Sequence, residues 1–471
     1  MRLDDPELVE AGDPGGLLRQ IASSAAQVRT SLRACEEAGL SVARPRAVVV
    51  AAAGASACAG EVLEAVCGIR SPIQVAVVRG HQLPGWVGAA DLVIGVSASG
   101  ARQETLALAG EAVRRGCDFM GVGPARSPLA DLAAQARGFF VPVESGPGRS
   151  QLWGLSVPLL VVASRIGGLR LPPDSYEATA SLLEEISRQC RPSSESFVNP
   201  AKSLALDLAG TLPMIWGGSA LSAAAARRFA SLLALSAKYP ALSGYLPEVS
   251  SDQMAVFDGP FAPSPVPLFP EAEDLDADLD DTDLDDDGDP ASGPAEPRLV
   301  LLADPDGEHP TVTRMRSAAA TVAGERGILV SELAMEGADP LRRLASVVQV
   351  LDYVTAYLGI ASGLDPLASV SRADLRDLME RTVPDRGVPD MGMPDRAVPD
   401  RAVPDRAVPD RAVPGRADGG DAGLCAPSSP LLWSTWRSPW RSSPRSCSRG
   451  RRRCWRRRCI RSPTRATNCC C

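Results

Sequence analysis

The sequence predicts an α/β protein built from two units, each a doubly wound parallel sheet with flanking helices. The first observation is that apolar runs of strand length alternate with segments of helical periodicity over most of the chain. The second is that a strand–turn–helix plan begins twice, near residue 43 and again near residue 211. The third is that Ala, Val, Leu and Gly dominate, and such small side chains suit close contacts between helices and a sheet.

The first unit is expected to span residues 15–195. A helical pattern over about residues 15–38 precedes the first strand, ARPRAVVVAAAG, which ends at Gly54. Four more strands follow, at SPIQVAVVRG, DLVIGVS, DFMGVG and ARGFFVPVE, with helical segments between them. Helices then dominate residues 150–209. Because strands alternate with helices, the strands are expected to run parallel.

The second unit is expected to span residues 196–382. It opens with the strand and Gly-Gly-Ser turn of TLPMIWGGS, which a long helix follows. The strands RLVLLAD and GILVSEL are separated by the helix TVTRMRSAAATVAGE, and the last long helix runs through LRRLASVVQVLDYVTAYLGIASG. The plan therefore repeats that of the first unit with fewer predicted strands.

An acidic insert, residues 266–297, is expected to be disordered. Residues 271–289 contain twelve acidic residues and no basic residue, a composition typical of a solvated loop. Part of the insert resembles an EF-hand calcium loop. However, Pro294 occupies the position that needs a bidentate glutamate, so calcium binding is rejected.

Residues 383–471 are the second segment that is expected to be disordered. The segment begins with repeats of VPDRA, whose regular prolines prevent helix and sheet. Its end is rich in arginine, with twelve Arg and no acidic residue in residues 422–471. Three interpretations stay open for this tail: a basic arm that binds nucleic acid, a metal-binding tract, or translation in a shifted reading frame.

Composition limits the classes of function. The net charge is −8 at pH 7, so nucleic-acid binding is not expected of the folded part. The acidic N-terminus lacks the apolar core of a signal peptide, and no apolar run is expected to be long and pure enough to span a bilayer. The five Cys before residue 200 lack metal-ligand spacing. We therefore expect a cytoplasmic protein with no membrane segment, no metal and no cofactor.

Serine side chains follow two strands of the first predicted sheet. Ser56 comes after the first strand, and Ser97 and Ser99 come after the third. The carboxyl ends of parallel strands meet at one edge of a sheet, where helix N-termini favour an anion such as phosphate. Serines that merely cap helices would give the same pattern. A phosphate-binding role and a structural role therefore both stay open at this point.

These motifs resemble the SIS (sugar isomerase) fold, and specifically the bifunctional phosphoglucose/phosphomannose isomerase family, over most of residues 48–379. The Gly-Gly-Ser turn of that family is similar to Gly54-Ala55-Ser56, and its Ser-x-Ser-Gly-Asn-Thr-Glu-Glu-Thr turn is similar to residues 97–105. Further motifs of the family are similar to RGHQLPGWV, GPGRSQLWGL and PMIWGGSALSAAAARRF. Within the family, the chain resembles the divergent actinobacterial branch labelled TobH-like. That label suggests cobalamin biosynthesis, but no residue here supports corrin chemistry.

The resemblance implies a sugar phosphate as ligand and a homodimer as the assembly. It implies that Ser56, Ser97 and Ser99 bind the phosphate, and that Arg149 faces the substrate as a catalytic residue. Arg102 stands where the family has a threonine. An arginine there either adds positive charge to the phosphate site or fills its space.

The acid/base positions depart from the family. The catalytic glutamate of the family aligns with Leu235, and its histidine aligns with Ser251. Leucine cannot transfer a proton, and serine is a poor acid or base at neutral pH. Glu248 and His309 remain as candidates for a relocated acid/base pair. Two hypotheses follow: an isomerase of the glucose-6-phosphate/mannose-6-phosphate type, or a catalytically inactive sugar-phosphate sensor or partner subunit.

Overall fold

Two parallel sheets form the frame of the chain. The structure, a computed structural model, describes residues 2–263 and 295–382. Nine strands lie in these ranges: β1 (Ala47–Ala52), β2 (Gln74–Val78), β3 (Leu92–Val96), β4 (Asp118–Gly123), β5 (Phe139–Pro142), β6 (Leu212–Gly217), β7 (Leu242–Tyr245), β8 (Pro297–Ala303) and β9 (Val330–Ala334). The first sheet has the order β2-β1-β3-β4-β5 and the second has the order β7-β6-β8-β9, with all neighbours parallel.

Helices connect and cover the strands. In the described residues they are α1 (Pro6–Ala11), α2 (Leu17–Ala22), α3 (Ser24–Glu37), α4 (Ala57–Cys67), α5 (Gln103–Arg114), α6 (Pro128–Gln135), α7 (Leu152–Arg165), α8 (Ser175–Gln189), α9 (Pro200–Leu208), α10 (Ala220–Leu232), α11 (Pro310–Glu325), α12 (Pro340–Ala361) and α13 (Val370–Thr382). A π-helical turn, Leu233–Ala237, extends α10.

The central strands are buried on both faces, which explains their continuous apolar sequences. Every residue of β1 and β3 is buried. Alternate side chains of β1 enter two different cores: Val48 and Val50 pack into the largest core, and Val49 packs with α5 and α6 on the other face. Strands that are covered on both faces have no solvent-exposed face, so apolar and polar residues do not alternate in their sequences.

The same large core includes residues of the second sheet. Ile215 of β6 and Val300 of β8 belong to it, together with α7, α10 and α12. The opposite face of this sheet packs Trp216 against Phe257 and the helix α11. Both sheets therefore lie within one compact unit, Met1–Arg386.

The longest helix, α12, lies at the centre of this unit. It is the one helix in the described part of the chain that is long and apolar enough to cross a membrane by length and composition. This corrects the expectation that no apolar run reaches that standard. However, 83% of its most apolar window is buried inside the protein, as in the core helix of a globular domain.

The predicted two-sheet α/β architecture is confirmed, and each predicted strand is present. The sequence did not predict β7, a four-residue edge strand whose sequence, LSGY, is only partly buried. The predicted boundary after residue 195 falls between α8 and α9, and we keep it as a proposal. Most of the acidic insert and all of residues 383–471 lie outside the described residues, whereas Pro297, the last predicted residue of the insert, begins β8.

Candidate functional site

A cavity of about 630 Å³ opens at the carboxyl edge of the first sheet. The register aligns Ala52 at the end of β1 with Val96 at the end of β3, which brings the two serine-bearing turns side by side. The loop before α7, the end of α10 and α13 supply the remaining walls. The lining residues are Ala53, Gly54, Ala55, Ser56, Ser97, Ala98, Ser99, Arg102, Pro147, Gly148, Arg149, Ser231, Ala234, Leu235 and Arg372.

The three predicted serines form one polar surface of this cavity. The Ser56 hydroxyl accepts a hydrogen bond from the Ala98 amide at 3.2 Å and so joins the two turns. The Ser97 hydroxyl accepts from the Gly100 amide at 3.0 Å and lies 3.4 Å from the Ser99 hydroxyl. Ser56 and Ser97 are buried, whereas Ser99 is exposed to the cavity side. These contacts hold the hydroxyl groups together in one place.

The helices that follow these turns begin without a side-chain cap. A 3-10 turn, Gly54–Ser56, leads into α4, and its N-cap residue, Ala53, provides no side-chain cap; α5 likewise begins after Arg102 without a cap from that residue. The first amides of a helical segment have no partner within the segment and carry partial positive charge. The starts of two helical segments and three hydroxyl groups therefore converge, an arrangement suited to an anion, and at α5 the Glu104 carboxylate accepts from its own amide.

The corresponding turn of the second sheet is occupied by a carboxylate of the protein, that of Asp304. Ser219 caps α10 in a reciprocal capping box with Ser222. Its hydroxyl also donates to the buried carboxylate of Asp304 at 2.7 Å, and that carboxylate forms an ion pair with Arg343 at 2.9 Å. The two strand–turn–helix units thus look alike in sequence, but only the first leaves its turn open to the cavity.

Gly100 fixes the shape of the serine turn. Its φ is +66°, and an added Cβ would lie 2.3 Å from Cβ of Ser127 at the start of α6. The left-handed conformation favours glycine, and the close approach excludes a side chain. The turn is therefore held in place by contact with α6.

Replacing Gly100 with alanine is expected to lower the free energy of unfolding by about 2–4 kcal/mol, because backbone strain and steric overlap add. Urea unfolding measures this loss. Gly116→Ala is the matched control: φ is +72° there, but no atom lies within 4 Å of an added Cβ. It should cost only about 1 kcal/mol. Equal losses in the two variants would show that the contact with α6 does not constrain the turn.

Arg102 lies directly over the first turn. One terminal nitrogen of its guanidinium is 3.1 Å from where a Cβ on Gly54 would be. The side chain pairs with Glu104 at 3.3 Å and is 42% exposed. A hydrogen bond from its own amide and the nearby Arg102 charge lower the pKa of Glu104, so this carboxylate stays ionised. Arg102 therefore contributes a partly balanced positive charge at this end of the cavity.

Arg149 lies in the loop before α7 and is buried, with 8% of its surface exposed. Its guanidinium donates to the carbonyls of Leu235, at 3.3 Å, and Pro366. Burial, and then the charge of Arg372, lower the pKa of Arg149. Arginine is protonated in proteins at neutral pH, so the cavity wall carries a buried positive charge that is fixed by neutral acceptors.

Leu235 lines the cavity on the π-helical turn. This turn ends at Lys238, whose backbone is left-handed with φ +61° and whose ammonium donates to the carbonyls of Ser236 and Asp365. The position that aligns with a catalytic glutamate thus faces the site, but it presents an apolar side chain.

Glu248, Ser251 and His309 do not line this cavity. Glu248 is exposed in a short 3-10 turn after β7, and Ser251 is exposed just beyond it. His309 is the exposed N-cap residue of α11, where its Nδ1 accepts from the Thr311 amide at 3.2 Å. The structure therefore brings together Ser56, Ser97, Ser99, Arg102 and Arg149 of the predicted site residues and leaves Glu248 and His309 elsewhere.

One lining residue, Arg372 on α13, was missed from the sequence. Arg376, one turn further along the same helix, does not line the cavity. Arginine at position 372 gave no periodic or motif signal, because the contact depends on how α13 returns to the first sheet. Among the residues that the structure describes, the lining thus includes three arginines and neither a carboxylate nor an imidazole.

Comparison with known proteins agrees with this geometry. Residues 197–379 match the family described as the bacterial phospho-glucose isomerase C-terminal SIS domain. A bifunctional phosphoglucose/phosphomannose isomerase from Caldicellulosiruptor bescii is 27% identical over 214 residues, 45% of this chain and 63% of the relative. The chain thus spans less than two thirds of that relative's length.

Solved structures share the fold at low sequence identity. A hypothetical protein from Thermus thermophilus matches with a TM-score of 0.56 and 16% identity, covering 79% of this chain and 92% of that protein. A protein described as a phosphosugar isomerase from Clostridium difficile 630 matches with a TM-score of 0.56 and 12% identity, covering 77% and 97% of the two chains.

The fold and the matched residues are similar to those of SIS-domain proteins. More particularly, residues 197–379 match the C-terminal SIS-domain family of bacterial phosphoglucose isomerases, and the chain is similar to a bifunctional phosphoglucose/phosphomannose isomerase.

Proposed function

We propose that this protein binds a phosphorylated sugar of the glucose-6-phosphate or mannose-6-phosphate type and does not isomerise it. The observation that carries the proposal is the cavity at the first sheet, where three serine hydroxyls and three arginines converge without a carboxylate or imidazole in the lining. Such a set of groups binds anions well and cannot move a proton between carbon atoms.

The phosphate is assigned to the serine turns. Ser56, Ser97 and Ser99 donate to its oxygens, and amides at the start of the helical segments that follow the two turns add donors. Arg102 contributes charge from above Gly54. The sugar then extends towards Arg149 and Leu235, which form the opposite wall. A volume of about 630 Å³ accommodates a ligand of this size.

Loss of proton-transfer groups favours a sensor or partner subunit over an enzyme. Aldose–ketose isomerisation needs a base near C1 and C2 and a second group for ring opening. Leu235 occupies the wall where a base would act, and the alternative candidates Glu248 and His309 lie outside the lining. A cytoplasmic location and a homodimer remain part of the proposal, on the strength of the resemblance.

Thermal unfolding of the full chain tests binding. A saturating sugar phosphate should raise the melting temperature, with a stabilisation of about 2.7 kcal/mol at a concentration 100 times Kd. Glucose 6-phosphate, mannose 6-phosphate, fructose 6-phosphate and inorganic phosphate are compared. Ser99→Ala should reduce the shift, whereas Ser219→Ala, in the turn filled by Asp304, should leave it unchanged relative to its own unliganded protein. Equal changes in melting temperature for the two variants would show that the serine turns do not bind the ligand.

Isomerase activity is tested separately by solvent exchange. We expect no incorporation of deuterium at C2 of any of the three sugar phosphates when the full chain is incubated with them in heavy water. Proton magnetic resonance follows the C2 signal. Incorporation above the rate of a protein-free sample would restore the isomerase hypothesis and make Glu248 and His309 the first residues to replace.

A further inference from the structure

One wall of the cavity carries more positive charge than a single phosphate at the serine turns accounts for. Arg149 and Arg372 both line this wall, and Arg372 is close enough for its charge to lower the pKa of Arg149, second to burial. Like charges placed together cost free energy unless an anion lies between them. Within residues 2–263 and 295–382, no carboxylate lines the cavity to do so.

The contacts of Arg149 position its charge without neutralising it. Its guanidinium donates to the carbonyls of Leu235 and Pro366 and lies 3.5 Å from the Ser236 hydroxyl, all neutral acceptors. Lys238 behaves in the same way beside it, since its ammonium donates to the carbonyls of Ser236, at 3.0 Å, and Asp365, at 2.7 Å. Burial and Arg149 together lower the pKa of Lys238.

Arg372 forms no ion pair with any residue in the described ranges. The nearby acid, Asp365, offsets part of this charge, since it raises the pKa of Arg149 after burial and Arg372 have lowered it, and one of its carboxylate oxygens accepts from the Leu367 amide at 2.8 Å. Arg102, at the serine turns, differs because Glu104 pairs with it. The unbalanced charge of the cavity is therefore concentrated on the wall of Arg149 and Arg372.

We propose that the ligand carries a second acid group, which binds Arg149 and Arg372 while its phosphate binds the serine turns. A phosphorylated sugar acid and a sugar bisphosphate share this chemistry, since carboxylate and phosphate both accept paired hydrogen bonds from guanidinium groups. The inference rests on the proposed phosphosugar site and specifies its ligand class. A sugar phosphate without a second acid group would leave the charges of Arg149 and Arg372 without a counter-charge.

Calorimetric titration of the full chain tests this inference. The ligands are glucose 6-phosphate, 6-phosphogluconate, which replaces the aldehyde carbon by a carboxylate, and fructose 1,6-bisphosphate. At least one of the two ligands with a second acid group should bind about tenfold or more tightly than glucose 6-phosphate, as expected for an added charge-assisted hydrogen bond. Tighter binding of 6-phosphogluconate would indicate a sugar acid, and tighter binding of fructose 1,6-bisphosphate would indicate a bisphosphate.

Two variants of α13 test whether Arg372 causes the tighter binding of ligands that carry a second acid group. Arg372→Gln should reduce the ratio of affinities to below about twofold, whereas Arg376→Gln, which changes an arginine of α13 outside the cavity lining, should preserve it. Equal affinity for all three ligands, or a preference that survives Arg372→Gln, would overturn the second acid group but leave sugar-phosphate binding intact. Binding of none of the three would overturn the proposed function as well.

Discussion

Replacing Asp352 with alanine should lower the free energy of unfolding by about 3–5 kcal/mol, because it leaves a buried arginine without its counter-charge. Arg228 on α10 pairs with Asp352 on α12 through two hydrogen bonds of 2.9 and 2.6 Å, and both residues are buried. Arg228 also donates to the carbonyl of Arg149 at 2.9 Å. The pair thus supports the loop that carries the cavity arginine.

Urea unfolding of the full chain measures this loss. The matched control is Asp258→Ala, which breaks the ion pair of Asp258 with Arg326 at 2.8 Å, in which both side chains are more than a third exposed. That variant should cost less than about 1 kcal/mol, because water screens an exposed pair. Similar losses in the two variants would contradict the view that burial of the Arg228–Asp352 pair makes it structurally important.

Replacing Arg149 with glutamine should weaken sugar-phosphate binding by about tenfold or more, because a hydrogen bond from a charged group contributes about 1.5–3 kcal/mol. Arg149 is buried and faces the cavity, where its guanidinium would donate to a sugar hydroxyl. Calorimetric titration measures the change, using the sugar phosphate that gives the largest thermal shift. The loop keeps a contact that does not depend on this side chain, because Arg228 donates to the backbone carbonyl of Arg149 at 2.9 Å.

The control for Arg149→Gln is Arg227→Gln. Arg227 lies on α10 but does not line the cavity, and its side chain is 48% exposed. This variant should bind with unchanged affinity. Arg149→Lys separates charge from geometry: it keeps the positive charge but loses the planar fork, so it should bind with intermediate affinity. Binding by Arg149→Gln at the level of the original protein would remove Arg149 from the site.

The first sheet was predictable because burial on both faces leaves an unmistakable pattern. Residues such as Val48, Val49 and Val50 are all apolar, since each face of β1 meets a core. The strand β7 lacks that signal. It is a short edge strand, and Ser243 and Gly244 within it carry neither apolar alternation nor β-branched side chains. Edge strands of this length are specified by their neighbour, here β6, more than by their own sequence.

The serine-bearing half of the site was predictable from chain order. Turns that follow adjacent parallel strands must meet at one sheet edge, so the order of strands and turns alone places Ser56, Ser97 and Ser99 together. The register of β1 with β3 realises that expectation. The assignment of a phosphate to these hydroxyls stays a prediction.

The rest of the site depends on contacts between distant parts of the chain. Arg372 reaches the cavity through the return of α13, and Asp304 fills the second turn because β8 lies beside β6. Neither contact leaves a local pattern in the sequence. Likewise the sequence could propose Glu248 and His309 by residue type, but their distance from the cavity lining follows from the positions of β7 and α11.

A crystal structure of the full chain with a bound sugar phosphate would show whether the serine turns bind the phosphate. The ligand is the sugar phosphate with the largest thermal shift. We expect the phosphate oxygens to lie within hydrogen-bonding distance of the Ser56, Ser97 and Ser99 hydroxyls, with the sugar against Arg149 and no acidic or histidine side chain in contact with C1 or C2. A phosphate bound elsewhere, or a carboxylate or imidazole in contact with those carbon atoms, would contradict this expectation.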